Sequence, residues 1–190
     1  MPQSMELFAV ITSAVSTWLL ARNKPLGWWV GLVGVSAYAV VFYRVRLFAE
    51  VGIQIVYFVT SLQAIWIWLH GGQERQERPV GRVTLRWALV TLVIAAFSVW
   101  GVYELLVVLR GAVPFWDALT TVMSLVAHVY LMLRLVENWW IWIAVDAIYV
   151  PLYLSRGLHL TSALYFAFLI MAIYGLLNFQ RIYLEQREPA

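Results

Sequence analysis

Seven apolar runs, at residues 5–21, 26–43, 51–70, 87–109, 116–133, 139–154 and 160–179, take up most of this 190-residue chain. A helix rises about 1.5 Å per residue, so roughly 20 apolar residues cross the ~30 Å hydrocarbon core of a bilayer, and somewhat shorter runs cross it with little tilt. A soluble domain carries roughly a quarter of its residues as charges, whereas this chain has 12% charged against 63% hydrophobic residues and a mean hydropathy of +0.80. A water-soluble globule is excluded. The expected fold is an all-α integral membrane protein, one domain over 1–190, with seven transmembrane helices. The charges agree with this partition: only Glu104 and Asp146 lie well inside a run, Glu6 and Asp117 stand at run starts, and the polar stretch from Gly71 to Arg86 reads as a solvated loop. No Lys or Arg precedes the first run and Arg22 and Lys24 follow it at once, so that run is expected to be a retained helix rather than a cleaved leader.

Seven crossings put the termini on opposite sides of the membrane, and the basic residues then sort the two sides. Arg22, Lys24, Arg75, Arg78, Arg82, Arg86, Arg134, Arg181 and Arg187 share one side, against Arg44, Arg46, Arg110 and Arg156 on the other. The first group marks the cytoplasm. The carboxyl terminus is therefore expected inside and the amino terminus outside, in a plasma (inner) membrane. A sequence pI of about 9.3 would otherwise suggest nucleic acid, but the basic residues sit in short loops and form no stripe, so no nucleic-acid partner is expected. The bilayer is the first partner.

The chain also repeats itself. Sliding it against itself by 111 residues without a gap puts Trp28 on Trp139, Trp29 on Trp140, Tyr38 on Tyr149, Leu47 on Leu158, Ser13 on Ser124 and Leu20 on Leu131. Glu6 falls on Asp117, Phe42 on Tyr153, Tyr57 on Phe168, Ala64 on Gly175 and Trp68 on Phe179 in the same register. Residues 5–70 and 116–179 then read as two copies of a three-helix unit, with 87–109 as a linker helix. An odd linker returns the chain to its starting side, so the copies run parallel, related by an axis along the membrane normal. Such a 3+1+3 parallel repeat is transporter architecture.

The polar residues inside the runs are the candidates for binding. Trp139, Trp142, Asp146, Tyr149 and Tyr153 are spaced to form one stripe of the sixth run. A carboxylate at bilayer depth costs about 2.5–3.5 kcal/mol on insertion scales, so it faces a cavity, a partner or a ligand. Either Asp146 packs helices through a neighbouring hydroxyl, or it and the aromatic faces hold an organic cation by charge pairing and cation–π attraction. The density of rings favours the cation. Gln54 and Tyr57 bring hydrogen-bonding groups to the third run, and Asp117, Thr121, Ser124 and His128 share a face of the fifth. His128 reads either as a fixed hydrogen-bond partner or as a titrating group that couples protons. Pro151 removes a backbone donor one turn after Ala147 and is expected to kink the helix beside Asp146. No metal set or cofactor motif is legible, since His70, His128 and His159 fall at different depths and the chain has no cysteine.

On these residues the chain resembles the PnuC-type vitamin transporters, a family best known for nicotinamide riboside. The shared features are W-x-x-W-x-x-x-D at Trp139, Trp142 and Asp146, the preceding Glu137-Asn138, Q-x-x-Y at Gln54 and Tyr57 with Trp68 closing that helix, and D-A-L-T-T-V-M-S-L-V-A-H from Asp117 to His128 in the fifth run. Ala64 stands where the family often has Gly, and His128 where it commonly has Gln. The resemblance implies a SWEET-like 3+1+3 fold, a central site between the repeats, uniport by facilitated diffusion, a homotrimer and trapping of the substrate by a cytosolic kinase. Substrate-binding residues are then expected at Asp146, Trp142, Trp139, Gln54, Tyr57, His128, Ser124, Thr121 and Tyr149. The expected function is facilitated uptake of nicotinamide riboside, with thiamine or riboflavin as alternatives and a sugar carrier as a weaker one. A retinal photoreceptor fails because Lys24, the only lysine, lies in a loop rather than in the last helix. A membrane enzyme finds no paired carboxylates, serine triad or metal cluster to work with.

Overall fold

The computed structural model describes residues 2–44, 48–72, 76–108, 113–155 and 159–187. Leu47 and Leu158 of the repeat, and Arg46, Arg75, Arg110 and Arg156 of the charge count, lie outside them, as do the side chains of Glu6 and Phe42. The described residues form seven helices: α1 Pro2–Ala21, α2 Leu26–Arg44, α3 Phe48–His70, α4 Leu85–Val108, α5 Pro114–Met132, α6 Glu137–Ser155 and α7 His159–Glu185. Stretches of α3, α4, α5 and α7 are long and apolar enough to cross a membrane, while the apolar parts of α1 and α2, Leu7–Ala21 and Leu26–Val41, are shorter.

The 111-residue register reappears in the backbone. α2 and α6 have the same length of 19 residues and begin and end 111 residues apart, as do the ends of α1 and α5 and the starts of α3 and α7. The turns between the paired helices match as well: Asn23 and Arg134 are the two non-glycine residues with positive φ among the described residues, at 57° and 56°. Burial follows the register, with Trp28 and Trp139 buried, Trp29 and Trp140 exposed, and Trp68 and Phe179 both fully buried.

The chain divides into two compact units. The first holds α1, α2, α3, the segment to Pro79, residues 132–134 and the end of α7 from Leu177. Here α1 packs on α2 and α2 on α3. The close approach of α1 and α2 rests on small residues: a Cβ at Gly27 would meet Leu20 Cγ at 2.6 Å and the Leu20 backbone nitrogen at 2.9 Å, and one at Gly31 would meet Ser16 Oγ at 3.0 Å. Ser16 Oγ donates to the Gly27 carbonyl at 2.8 Å, the small-residue packing that serves helices in lipid. The α1 end is closed by Asn23 in the left-handed conformation, its N–H donating to the Leu20 carbonyl and that of Lys24 to Leu19, before Pro25 opens α2. Asn178 of α7 donates to the Ala21 carbonyl at 3.1 Å.

The second unit holds residues 80–131 and 135–176. α4 buries none of its residues, and one stripe, Ala88, Thr91, Ala95, Val99, Val102 and Leu106, is half-buried; an apolar helix this exposed is one that lipid solvates. α6 and α7 lie in contact, with the Trp139 ring over Gly175 so closely that a Cβ there would come within 2.7 Å of it. Ser162 Oγ donates to the Val150 carbonyl at 2.9 Å. α6 continues through Pro151 as one helix rather than ending there.

Within the stretch expected as a solvated loop, Gln76, Glu77, Pro79, Arg82 and Thr84 are exposed, while backbone contacts fasten residues 78–83. In the first unit the Arg78 N–H donates to the Trp68 carbonyl and its Nε to the Leu133 carbonyl at 2.9 Å. In the second, Gly81 pairs with Leu135 and Val136, and the Val83 N–H donates to Glu137 Oε2 at 3.0 Å. These are largely backbone contacts, so hydropathy does not signal them.

Candidate functional site

α6 supplies the core of the candidate site. Its acidic first turn, Glu137, suits the positive end of the helix dipole, and the helix then carries Trp139, Trp142, Asp146 and Tyr149 at helical spacing. Asp146 is 4% exposed. Among the described residues its carboxylate makes no hydrogen bond or ion pair; the tyrosines Tyr149 and Tyr165 lie within electrostatic range. The packing role, in which a neighbouring hydroxyl would satisfy the carboxylate, therefore has no such hydroxyl bonded to it here. A buried polar group without a protein partner is the exception that calls for an explanation.

Tyr149 joins a cluster of rings in the second unit. Its ring stacks on Tyr153 with centroids 5.3 Å apart and meets Tyr165 at 4.7 Å, while Tyr153 stacks on Tyr165 at 5.2 Å and Phe168 completes the group edge-on to Tyr165 at 5.8 Å. Thr120, whose hydroxyl donates to the Trp116 carbonyl at 2.7 Å, lies near the Tyr149 hydroxyl. Thr120 is fully buried, whereas Thr121 is exposed. The helical spacing from Asp117 drew attention to Thr121, and the neighbour one position earlier is the one that faces α6. Thr120 is the polar residue of this cluster that the sequence did not single out; Tyr165 and Phe168 share a stripe of the seventh run at helical spacing.

The remaining candidates are placed as follows. Ser124, His128 and Trp142 are half-buried in the second unit. Trp139 is fully buried against Gly175, so its ring serves the contact between α6 and α7. Gln54 and Tyr57, both half-buried, belong to the first unit. An apolar groove of about 330 Å³ lined by Trp116, Ala147, Ile148, Pro151 and Leu152 offers a cation no polar partner. Among the described residues no group of His, Asp and Glu side chains is arranged to hold a metal.

Known proteins bear on this arrangement. Residues 3–181 match the model of the family described as nicotinamide mononucleotide transporter. The nicotinamide riboside transporter PnuC of Escherichia coli is 22% identical over 90% of this chain and 82% of that protein. The protein of the same name from Neisseria mucosa is 29% identical over 92% of this chain and 71% of its own length. A crystal structure of the vitamin B3 transporter PnuC superposes with a TM-score of 0.72 at 25% identity, over 95% of this chain and 82% of that one. A buried, unpaired carboxylate among aromatic rings, in a chain with four helices long and apolar enough to cross a bilayer, is thus found in a member of the nicotinamide mononucleotide transporter family, whose members are membrane transporters and not enzymes.

Proposed function

We propose that this chain carries nicotinamide riboside into the cell by facilitated diffusion, with Asp146 as the group that recognises the charged ring. The observation that carries the reading is Asp146, a residue 4% exposed whose carboxylate has no hydrogen-bonding or ionic partner among the described residues. Burial of that group without compensation is costly, and a pyridinium ring offsets it while stacking on indole and phenol faces. The same reasoning separates the riboside from the mononucleotide. A phosphate adds negative charge, and the candidate residues Asp146, Trp142, Trp139, Gln54, Tyr57, His128, Ser124, Thr121 and Tyr149 include no Arg or Lys to receive it. Thiamine and riboflavin are the alternative cargoes; riboflavin has no fixed charge for Asp146 to hold. A sugar has none either.

The architecture we propose for this task is seven membrane-spanning helices as two parallel three-helix repeats joined by α4, SWEET-like, assembled as a homotrimer. The matched helix ends, the paired left-handed turns and the matched burial support the repeat. The excess of basic residues in the α1–α2, α3–α4 and α5–α6 connections and at the carboxyl terminus supports a cytoplasmic carboxyl terminus and an external amino terminus in the plasma membrane.

The test is uptake of nicotinamide riboside, nicotinamide mononucleotide, thiamine and riboflavin into proteoliposomes. Saturable entry of the riboside, with the mononucleotide excluded, is the expected result. Entry of the mononucleotide at a comparable rate would refute the charge argument.

A further inference from the structure

The surroundings of Arg134 are more elaborate than a cation marking the cytoplasmic side needs. Arg134 is 4% exposed, and its backbone sits at φ 56°, a conformation that an arginine adopts only when its surroundings enforce it. Its Nε donates to Asn23 Oδ1 at 2.9 Å, one NH group donates to the Arg78 carbonyl, and both NH groups reach Glu77 Oε2 at 3.4–3.5 Å. The guanidinium also lies over the Trp68 ring at 4.8 Å. Trp68 in turn meets Trp28 edge-on at 5.8 Å and Phe179 at 6.3 Å, all three rings buried. Every one of these residues belongs to the first unit. Burial pushes the guanidinium pKa below its ordinary value and Glu77 pulls it back up.

We propose that this group is the cytoplasmic gate of the transport path, closed in this conformation: Trp28, Trp68 and Phe179 form a water-tight layer, and Arg134, held by Asn23 and Glu77, is its bolt. Three features distinguish a bolt from a permanent fastening. The Glu77 carboxylate is 63% exposed and its contacts are long, so water replaces them at little cost. The backbone at Arg134 is held against its own preference, which favours release once the polar contacts loosen. Asn23 and Arg134 occupy equivalent places in the 111-residue register, so the bond between them links the same turn of the two proposed repeats. Motion of one repeat against the other on this side must break that bond. The inference rests on the proposed transport function and on the membrane orientation given there.

The experiment uses the absence of native cysteine. Ser61, 3% exposed, lies on α3 about two turns from Trp68 on the side of the layer away from the carboxyl end of the helix. In the single-cysteine variant Ser61→Cys, labelling by a membrane-impermeant methanethiosulfonate reagent supplied from the carboxyl-terminal side reads access through the layer without any substrate. Adding Asn23→Gly, which removes the acceptor but keeps a residue at ease with positive φ, is expected to raise the labelling rate at least fivefold, and Glu77→Gln to raise it less. An unchanged rate in both backgrounds, with unchanged melting temperature, would overturn the gate and leave Arg134 as a static fastening. Riboside efflux from loaded vesicles should rise in the same variants. If the parent chain moves no riboside while labelling still responds to Asn23→Gly, the gate stands and the choice of substrate falls.

Discussion

Asp146→Asn removes one charge and almost no volume, and its consequences follow from the surroundings of the carboxylate. With a pyridinium about 4 Å away at an effective dielectric constant near 20, the Coulomb attraction is about 4 kcal/mol. Charge delocalised over the ring and the amide dipole that remains in Asn reduce the loss to about 1.5–3 kcal/mol, the range for hydrogen bonds to charged groups. Affinity for nicotinamide riboside should therefore fall by roughly 10- to 150-fold, read by calorimetry in detergent. The neutral control is the 1,4-dihydro form of the riboside, nearly the same shape without the charge, whose affinity should change less than threefold. Stability should move the other way. The residue is 4% exposed and its carboxylate unpartnered among the described residues, so a neutral replacement relieves a desolvation cost of order 1 kcal/mol in the ligand-free protein. A variant that binds the cation less well yet melts at a higher temperature is the signature of a binding group. Equal losses for the charged and neutral ligands, together with a lower melting temperature, would show that Asp146 holds helices together and would refute the reasoning.

Three further outcomes are expected. Gly27→Ala drives a Cβ into the Leu20 side chain and its backbone nitrogen, and the backbone cannot yield, so about 1–3 kcal/mol of stability should be lost, whereas Gly52→Ala, with nothing within 4 Å, should be neutral in the same thermal assay. Tyr149→Phe keeps the stack on Tyr153 and Tyr165, so it should cost less than about 1 kcal/mol in thermal unfolding, while Tyr149→Ala, which removes the ring, should cost about 3–5 kcal/mol. Because the proposed cargo is a cation moving without a coupled ion, an inside-negative potassium diffusion potential should raise its accumulation by about 2.3 kcal/mol per 100 mV; accumulation driven by a pH gradient at zero potential would instead implicate His128.

The helices were legible because lipid imposes a length and an apolar composition on a crossing, and the 111-residue register drew notice because it aligns bulky aromatics such as Trp28 and Trp139, which are both buried. Asp146 stood out for a similar reason, as a charge at depth. Thr120 was missed by one position: a helical face about 100° wide does not decide between adjacent residues when both are threonine. The docking of residues 77–83 was missed because it uses mainly backbone groups, which every residue has. Arg134 was read as a surface charge, although the register that aligns it with Asn23, in a turn where Asn favours positive φ, held the clue to its conformation.

The glycine contacts of α2 have a consequence for stoichiometry. In the 111-residue register Trp142 corresponds to Gly31 and Asp146 to Val35. Gly31 lies against Ser16 closely enough that even a methyl group crowds it, so the first copy has no room for an indole there and no charge one turn further on. Of the two frames of the proposed repeat, only the second carries an indole and a carboxylate at these places. Each chain should therefore take up one cation at a time, and a titration of the assembled protein should saturate at one equivalent per chain.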